Sequence, residues 1–135
     1  MYLLPPKTIN RWWHLVEPLL SKAWDKTNVG SFLDIDDVKC LLEEEKHYCF
    51  ISGDKEYAGV FRVKVGSKGN TLYFWLSGGE EPSGGWVEVD EWLQELANVF
   101  NCKYIQLEGR LGWKRKVEPF GYKVDSLILI KEVAQ

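Results

Sequence analysis

The chain is 135 residues long, which suits one domain on a single core and is too short for two. Apolar residues make up 45% and charged residues 27%, a balance that excludes a disordered or collagen-like chain. The net charge of -3, from 17 basic and 20 acidic residues, excludes a polycation that coats nucleic acid by bulk electrostatics.

Met1-Tyr2-Leu3-Leu4 reads as a short apolar strand ended by Pro5-Pro6. It carries neither a basic region nor a long apolar stretch, so no signal peptide is expected. Thr8 is placed to cap a helix whose apolar residues, Ile9, Trp12, Trp13, Val16, Leu19, Leu20 and Trp24, recur every three or four positions. Pro18 lacks the N–H that would bond back to residue 14, so it is expected to kink the helix or start a second piece. Asn28-Val29-Gly30-Ser31 closes this segment. Asp34 caps the next helix, with Ile35, Val38, Leu41 and Leu42 inward and Glu43-Glu44-Glu45 as its solvated last turn.

From His47 the period changes to two. Strands are expected over 47–52, 57–65 and 71–76, with turns at 53–56 and 66–70, giving a three-stranded antiparallel meander. The glycine-rich loop 77–85 then leads into a helix with Trp86, Val89, Leu93, Leu96 and Phe100 on one face. Residues 104–108 form a strand. Strand, helix, strand implies a parallel pair joined by a right-handed crossover. After Gly109-Arg110-Leu111-Gly112 come a short helix over 113–120, a stop at Gly121, and a last apolar strand over 122–133. The chain therefore reads as one α/β domain over 1–135, with a mixed sheet and the order β-α-α-β-β-β-α-β-α-β. Its longest apolar run, Leu127-Ile128-Leu129-Ile130, is strand length, far below the roughly 20 residues that span a bilayer.

This order resembles the GNAT acyltransferase superfamily over nearly the whole chain. The resemblance sharpens at Gly109-Arg110-Leu111-Gly112-Trp113-Lys114-Arg115 followed by Phe120-Gly121-Tyr122. That GR-GW-R…GY pattern is similar to small GNAT-like proteins of tailed bacteriophages, including the internal virion protein family of short-tailed coliphages. It implies a virion or virion-assembly protein, found in the host cytoplasm and in the particle, whose partners are other phage proteins or further copies of itself.

GNAT enzymes hold the diphosphate of CoA on a [QR]-x-x-G-x-[GA] loop at a helix N-terminus, where bare N–H groups and the helix dipole favour an anion. Here the loop is Glu80-Glu81-Pro82-Ser83-Gly84-Gly85-Trp86-Val87. With Gly84 as the first glycine, Glu81 and Trp86 fall at the basic and small positions; with Gly85, Pro82 and Val87 do. Neither register works. Aligning Gly121-Tyr122 with the end of the family's tyrosine motif puts Val117 at the general acid, so the acid is absent. Glu56, Glu108 and Tyr122 are conceivable bases, and none is marked out. The expectation is a GNAT-like fold with a degenerate cofactor site, no catalytic residues and no cofactor. The alternative is an N-acyltransferase that uses acetyl-CoA on Ser83, Gly84 and Gly85, with Arg110 or Lys114 on phosphate.

Four basic residues, Arg110, Lys114, Arg115 and Lys116, flank Trp113. They suit phosphates, nucleic acid or an acidic protein, or else form the polar side of a short amphipathic helix. His14, His47, Cys40 and Cys49 lack the spacing of a zinc site, so no metal is expected. The three cysteines form an odd set without CxxC, which suits reduced thiols in a cytoplasm. Seven Trp, six Tyr and six Phe make up 14% of the chain. Trp12 and Trp13 lie about 100° apart on a helix, so one is expected in the core and the other against a partner; Arg115 and Lys116 are further interface candidates. Trp86 and Trp113, with Trp75 on the strand beside them, are expected to plug the inherited active site.

Overall fold

The computed structural model describes residues 1–24, 33–109, 112–126 and 129–134. Its strands are β1 (Tyr2–Leu3), β2 (His47–Ile51), β3 (Tyr57–Lys64), β4 (Asn70–Gly79) and β5 (Cys102–Leu107). Its helices are α1 (Ile9–Trp24), α2 (Ile35–Glu43), α3 (Trp86–Val99) and α4 (Gly112–Val117). Sheet order is β1-β2-β3-β4-β5, antiparallel throughout except for the parallel pair β4 and β5. Among the described residues, no helix is long and apolar enough to cross a membrane.

Helices cover both faces of the sheet, and each interface is a core of its own. On one side Trp12, Val16 and Leu20 of α1 and Val38 and Leu42 of α2 pack on Cys49, Val60 and Trp75. On the other, Trp86, Val89, Leu93 and Leu96 of α3 and Val117 of α4 pack on Phe50, Phe61 and Phe74. Strand β4 lies between the two layers. Its Leu72, Phe74, Trp75 and Leu76 are all buried, which explains its near-total lack of charge.

Local chemistry departs from expectation at both ends of the first helix. Thr8 does not cap α1; it ends a 3-10 turn, Pro6–Thr8, and its hydroxyl donates to the Pro5 carbonyl at 3.0 Å. Pro18 neither splits the segment nor starts a second piece, because the apolar stripe from Ile9 to Leu20 is anchored on the sheet along its whole length. The expected close at Asn28-Val29-Gly30-Ser31 lies outside the described residues. At α2 the expected cap is present: the Asp34 N–H donates to the Asp37 carboxylate at 2.8 Å.

The order holds through α4, but the last expected strand does not form among the described residues. Residues 122–126 and 129–134 have no strand geometry, and Val124, Leu129, Ile130 and Val133 are exposed. Apolar, β-branched content makes a segment fit for a strand, but ladder bonds to a neighbour make it one. Among the described residues no neighbour pairs with this segment, and β5 is the outermost strand.

Candidate functional site

The parallel pair diverges towards its carboxyl end. Ladder contacts between β4 and β5 run from Asn70 to Phe74, and the last is the Glu108 N–H on the Phe74 carbonyl at 3.2 Å. Strand β4 continues to Gly79 paired only with β3, leaving its other edge open beyond Phe74. A bulge precedes it: Val60 pairs with Leu76 and Phe61 with Phe74, so Trp75 has no partner on β3. Ligands of open α/β sheets bind where strands part in this way.

The first turn of α3 forms one wall of this opening. Ser83-Gly84-Gly85 is a turn, closed by the Gly85 N–H on the Pro82 carbonyl at 2.7 Å. Gly85 sits before the helix with φ of 69°, a conformation natural to glycine. The sequence pattern pointed to Glu81, Pro82 and the glycines of this loop but not to Glu88. The Glu88 carboxylate folds back so that a Cβ on Gly84 would lie 3.1 Å from its Oε2. An acidic group in a first turn satisfies the helix dipole, leaving less for an external anion. With Glu80 exposed and Glu81 half-buried close by, three carboxylates border the turn. These residues do not suit the diphosphate of CoA.

Tryptophan fills the other wall, as expected of Trp86 and Trp113 but not of Trp75. Trp86, the first residue of α3, is buried, and its ring meets Trp113 edge-on at 5.2 Å. Trp75 lies on the opposite face, packed under α1 and edge-on to His47 at 5.7 Å. Strand alternation sets that orientation, since Leu72 and Phe74 face α3 and Trp75 lies on the other side; the bulge then puts Leu76 on the same side as Trp75.

Helix α4 and the residues after it are tied to α3 and the loop before it. Lys116 pairs with Glu81 and lies 4.6 Å from the Trp113 ring centroid. The Tyr122 hydroxyl donates to Asp90 Oδ1 at 2.6 Å, and its ring lies 6.5 Å from Trp86. Asp90, buried on α3, also accepts from Gln94 Nε2 at 2.7 Å. Gly109 lets Trp113 approach, since a Cβ there would stand 2.9 Å from the indole. Gly121 ends the 3-10 turn Glu118–Phe120 at φ 92°. The Gly109…Trp113…Gly121-Tyr122 pattern thus works as a latch. Asp90 was not foreseen, although a carboxylate inside the apolar stripe of Trp86, Val89 and Leu93 was the available signal.

Other named residues disperse. Lys114 pairs with Glu118 at 3.6 Å, Arg115 is exposed, and Arg110 lies outside the described residues. Trp12 is buried and its indole N–H donates to the Pro5 carbonyl at 2.9 Å; Trp13 is half-buried. Of the conceivable bases, Glu56 is exposed and Glu108 accepts from the Tyr73 hydroxyl. Burial, reinforced by its bond to Asp90, pushes the Tyr122 hydroxyl well above the usual phenol range, so at neutral pH it donates a proton rather than accepting one. His14, His47, Cys40 and Cys49 do not converge: among the described residues no three His, Cys, Asp or Glu side chains are placed to share a metal ion.

Mixed sheet, helices on both faces, a bulged β4 and a parting from β5 describe one known architecture. The fold is that of the GNAT acetyltransferases. A GNAT family acetyltransferase from Staphylococcus aureus superposes with a TM-score of 0.62 at 13% identity, over 98% of this chain and 96% of that one. A possible acetyltransferase from Clostridium difficile 630 gives 0.63 at 15%, over 99% and 97%. An aminoglycoside acetyltransferase from an uncultured soil metagenomic sample, solved with sisomicin, gives 0.65 at 10%, over 99% and 94%. Identities this low establish the GNAT fold and leave activity open. No family profile and no curated protein sequence matches the chain.

Proposed function

We propose that this chain keeps the GNAT fold without acyl transfer and acts through protein–protein contacts as a bacteriophage virion or virion-assembly protein. The observation that carries the first half is the first turn of α3, where the Glu88 carboxylate lies against Gly84 and Trp86 is buried under Trp113. A diphosphate brought there would meet carboxylates beside the N–H groups of the first turn, and like charges repel. The second half is supported by the resemblance of the Gly109–Tyr122 pattern to phage proteins. In this reading the protein occupies the host cytoplasm and the particle, and other phage proteins or its own copies are its partners. Half-buried Trp13 and exposed Arg115 are contact candidates. Mass spectrometry of purified particles of the encoding phage is expected to find the chain; its absence there, with no virion protein retained on the immobilised chain, contradicts the role.

An N-acyltransferase is the second reading, favoured by the free edge of β4 beyond Phe74 and the open space beside Gly85. It predicts consumption of acetyl-CoA in the presence of a suitable amine. With a panel of amines and an assay of free thiol, our reading expects no release above the buffer rate.

A further inference from the structure

The sheet face under α1 carries cations that the fold does not neutralise. Register places His47, Arg62, Tyr73 and Gln106 in one row across four strands, and Lys64, Thr71 and Tyr104 in the next. Helix α1 packs on β3 and β4, whereas Tyr104, Gln106 and Glu108 at β5 are exposed. Lys64 Nζ donates to Gln106 Oε1 at 3.2 Å and stands 4.0 Å from the Tyr73 ring centroid, with Arg62 at 5.7 Å. Glu108, just past the end of β5, accepts from the Tyr73 hydroxyl. Lys103 lies 5.6 Å from the Tyr104 ring. Among the described residues, Arg62, Lys64 and Lys103 form no ion pair. Next to Lys103 is a hollow of about 350 Å³ lined by Ser67, Asn70 and Asn101.

We propose that this strip binds an extended, acidic segment of a partner polypeptide, added as a strand along β5. Three observations select that partner. As the outermost strand among the described residues, β5 offers a row of backbone donors and acceptors that only another polypeptide strand can pair along its length. Lys64, which reaches Gln106 on β5, and Lys103 call for carboxylates, with Arg62 adding positive charge behind them. The strip is also pre-ordered by its cation–ring and amide contacts, which lowers the cost of binding. Single-stranded nucleic acid fits less well, because Lys64 already covers the Tyr73 ring on which a base would stack. The inference deepens the reading of the chain as a binding protein and rests on it.

The test is fluorescence polarisation with a labelled peptide of about ten alternating Glu and Val residues. Saturable binding in the micromolar range is expected, at least about tenfold weaker for Lys64→Glu and for Lys103→Glu, and weaker as salt rises. Lys103 is an exposed side chain, so its reversal leaves the fold intact, checked by circular dichroism. Absence of saturation up to about 1 mM, equal binding by both variants, or tighter binding of an oligo-dT probe overturns the proposal. Acetyl-CoA titrated into the same samples separates the two ideas. Peptide binding lost with acetyl-CoA also silent removes this surface alone; acetyl-CoA binding alongside peptide binding removes the transferase-free reading alone.

Discussion

Gly78 has no room for a side chain. A Cβ there would run into the backbone carbonyl of Leu19, where α1 crosses the end of β4, and neither backbone can step aside. Gly78→Ala is therefore expected to cost about 3 kcal/mol or more by urea denaturation; a loss under about 0.5 kcal/mol would show that the two elements are not so closely packed. In the sequence Gly78 looks like any loop glycine, since its reason lies in a helix some sixty positions earlier. His47 supplies a pH dependence. Burial, then the charge of Arg62, lower its pKa from the usual 6.5, against a smaller opposing effect of Glu44. The unfolded chain thus takes up a proton more readily than the folded one. Stability is complete above about 6.5 and falls as pH drops below it. Calorimetric melting between about pH 7.5 and 5.5 should show a falling Tm, and His47→Gln should flatten that fall. A Tm that rises on acidification, or an unchanged slope in the variant, contradicts the sign.

The latch between α3 and α4 rests on one buried carboxylate. Asp90→Ala leaves the half-buried Tyr122 hydroxyl without its acceptor and should cost about 1–3 kcal/mol. Lys116 and Glu81 meet near the surface, so a double-mutant cycle is expected to give a coupling under about 1 kcal/mol. A larger coupling would make the ion pair, rather than Asp90 and the stacked indoles, the main tie. Element types and order were readable because the shift from a period of three and four to a period of two at His47 is sharp. Three things were not. The last strand was read from apolar content, which reports fitness for a ladder but not the presence of a neighbour. β4 runs on to Gly79 because Gly78 permits the close approach of α1 and Gly79 that of the Glu56 carbonyl, whereas the two read as a turn. Leu76 joins Trp75 in the core under α1 because the bulge breaks the alternation after Trp75, and a bulge leaves no mark on composition.

For the molecule as a whole, fold and chemistry separate. The GNAT architecture is complete from β1 to α4, yet the turn that should receive an anion is bordered by acids and backed by indole. The acids at Glu80 and Glu81 and the tryptophans at 86 and 113 were legible, because they stand at fixed places in the chain order. Glu88 and Asp90 were not, since a carboxylate on a helix is ordinary until its neighbours are known. The aromatic excess is thereby divided: Trp12 and Trp75 fill one core, and Trp86 packs with Trp113 in the other. Isothermal titration of the full chain with acetyl-CoA bears most directly on that division. No heat of binding is predicted up to about 1 mM ligand, whereas saturable binding near about 10 μM would show that the opening still accepts the cofactor and would contradict the account.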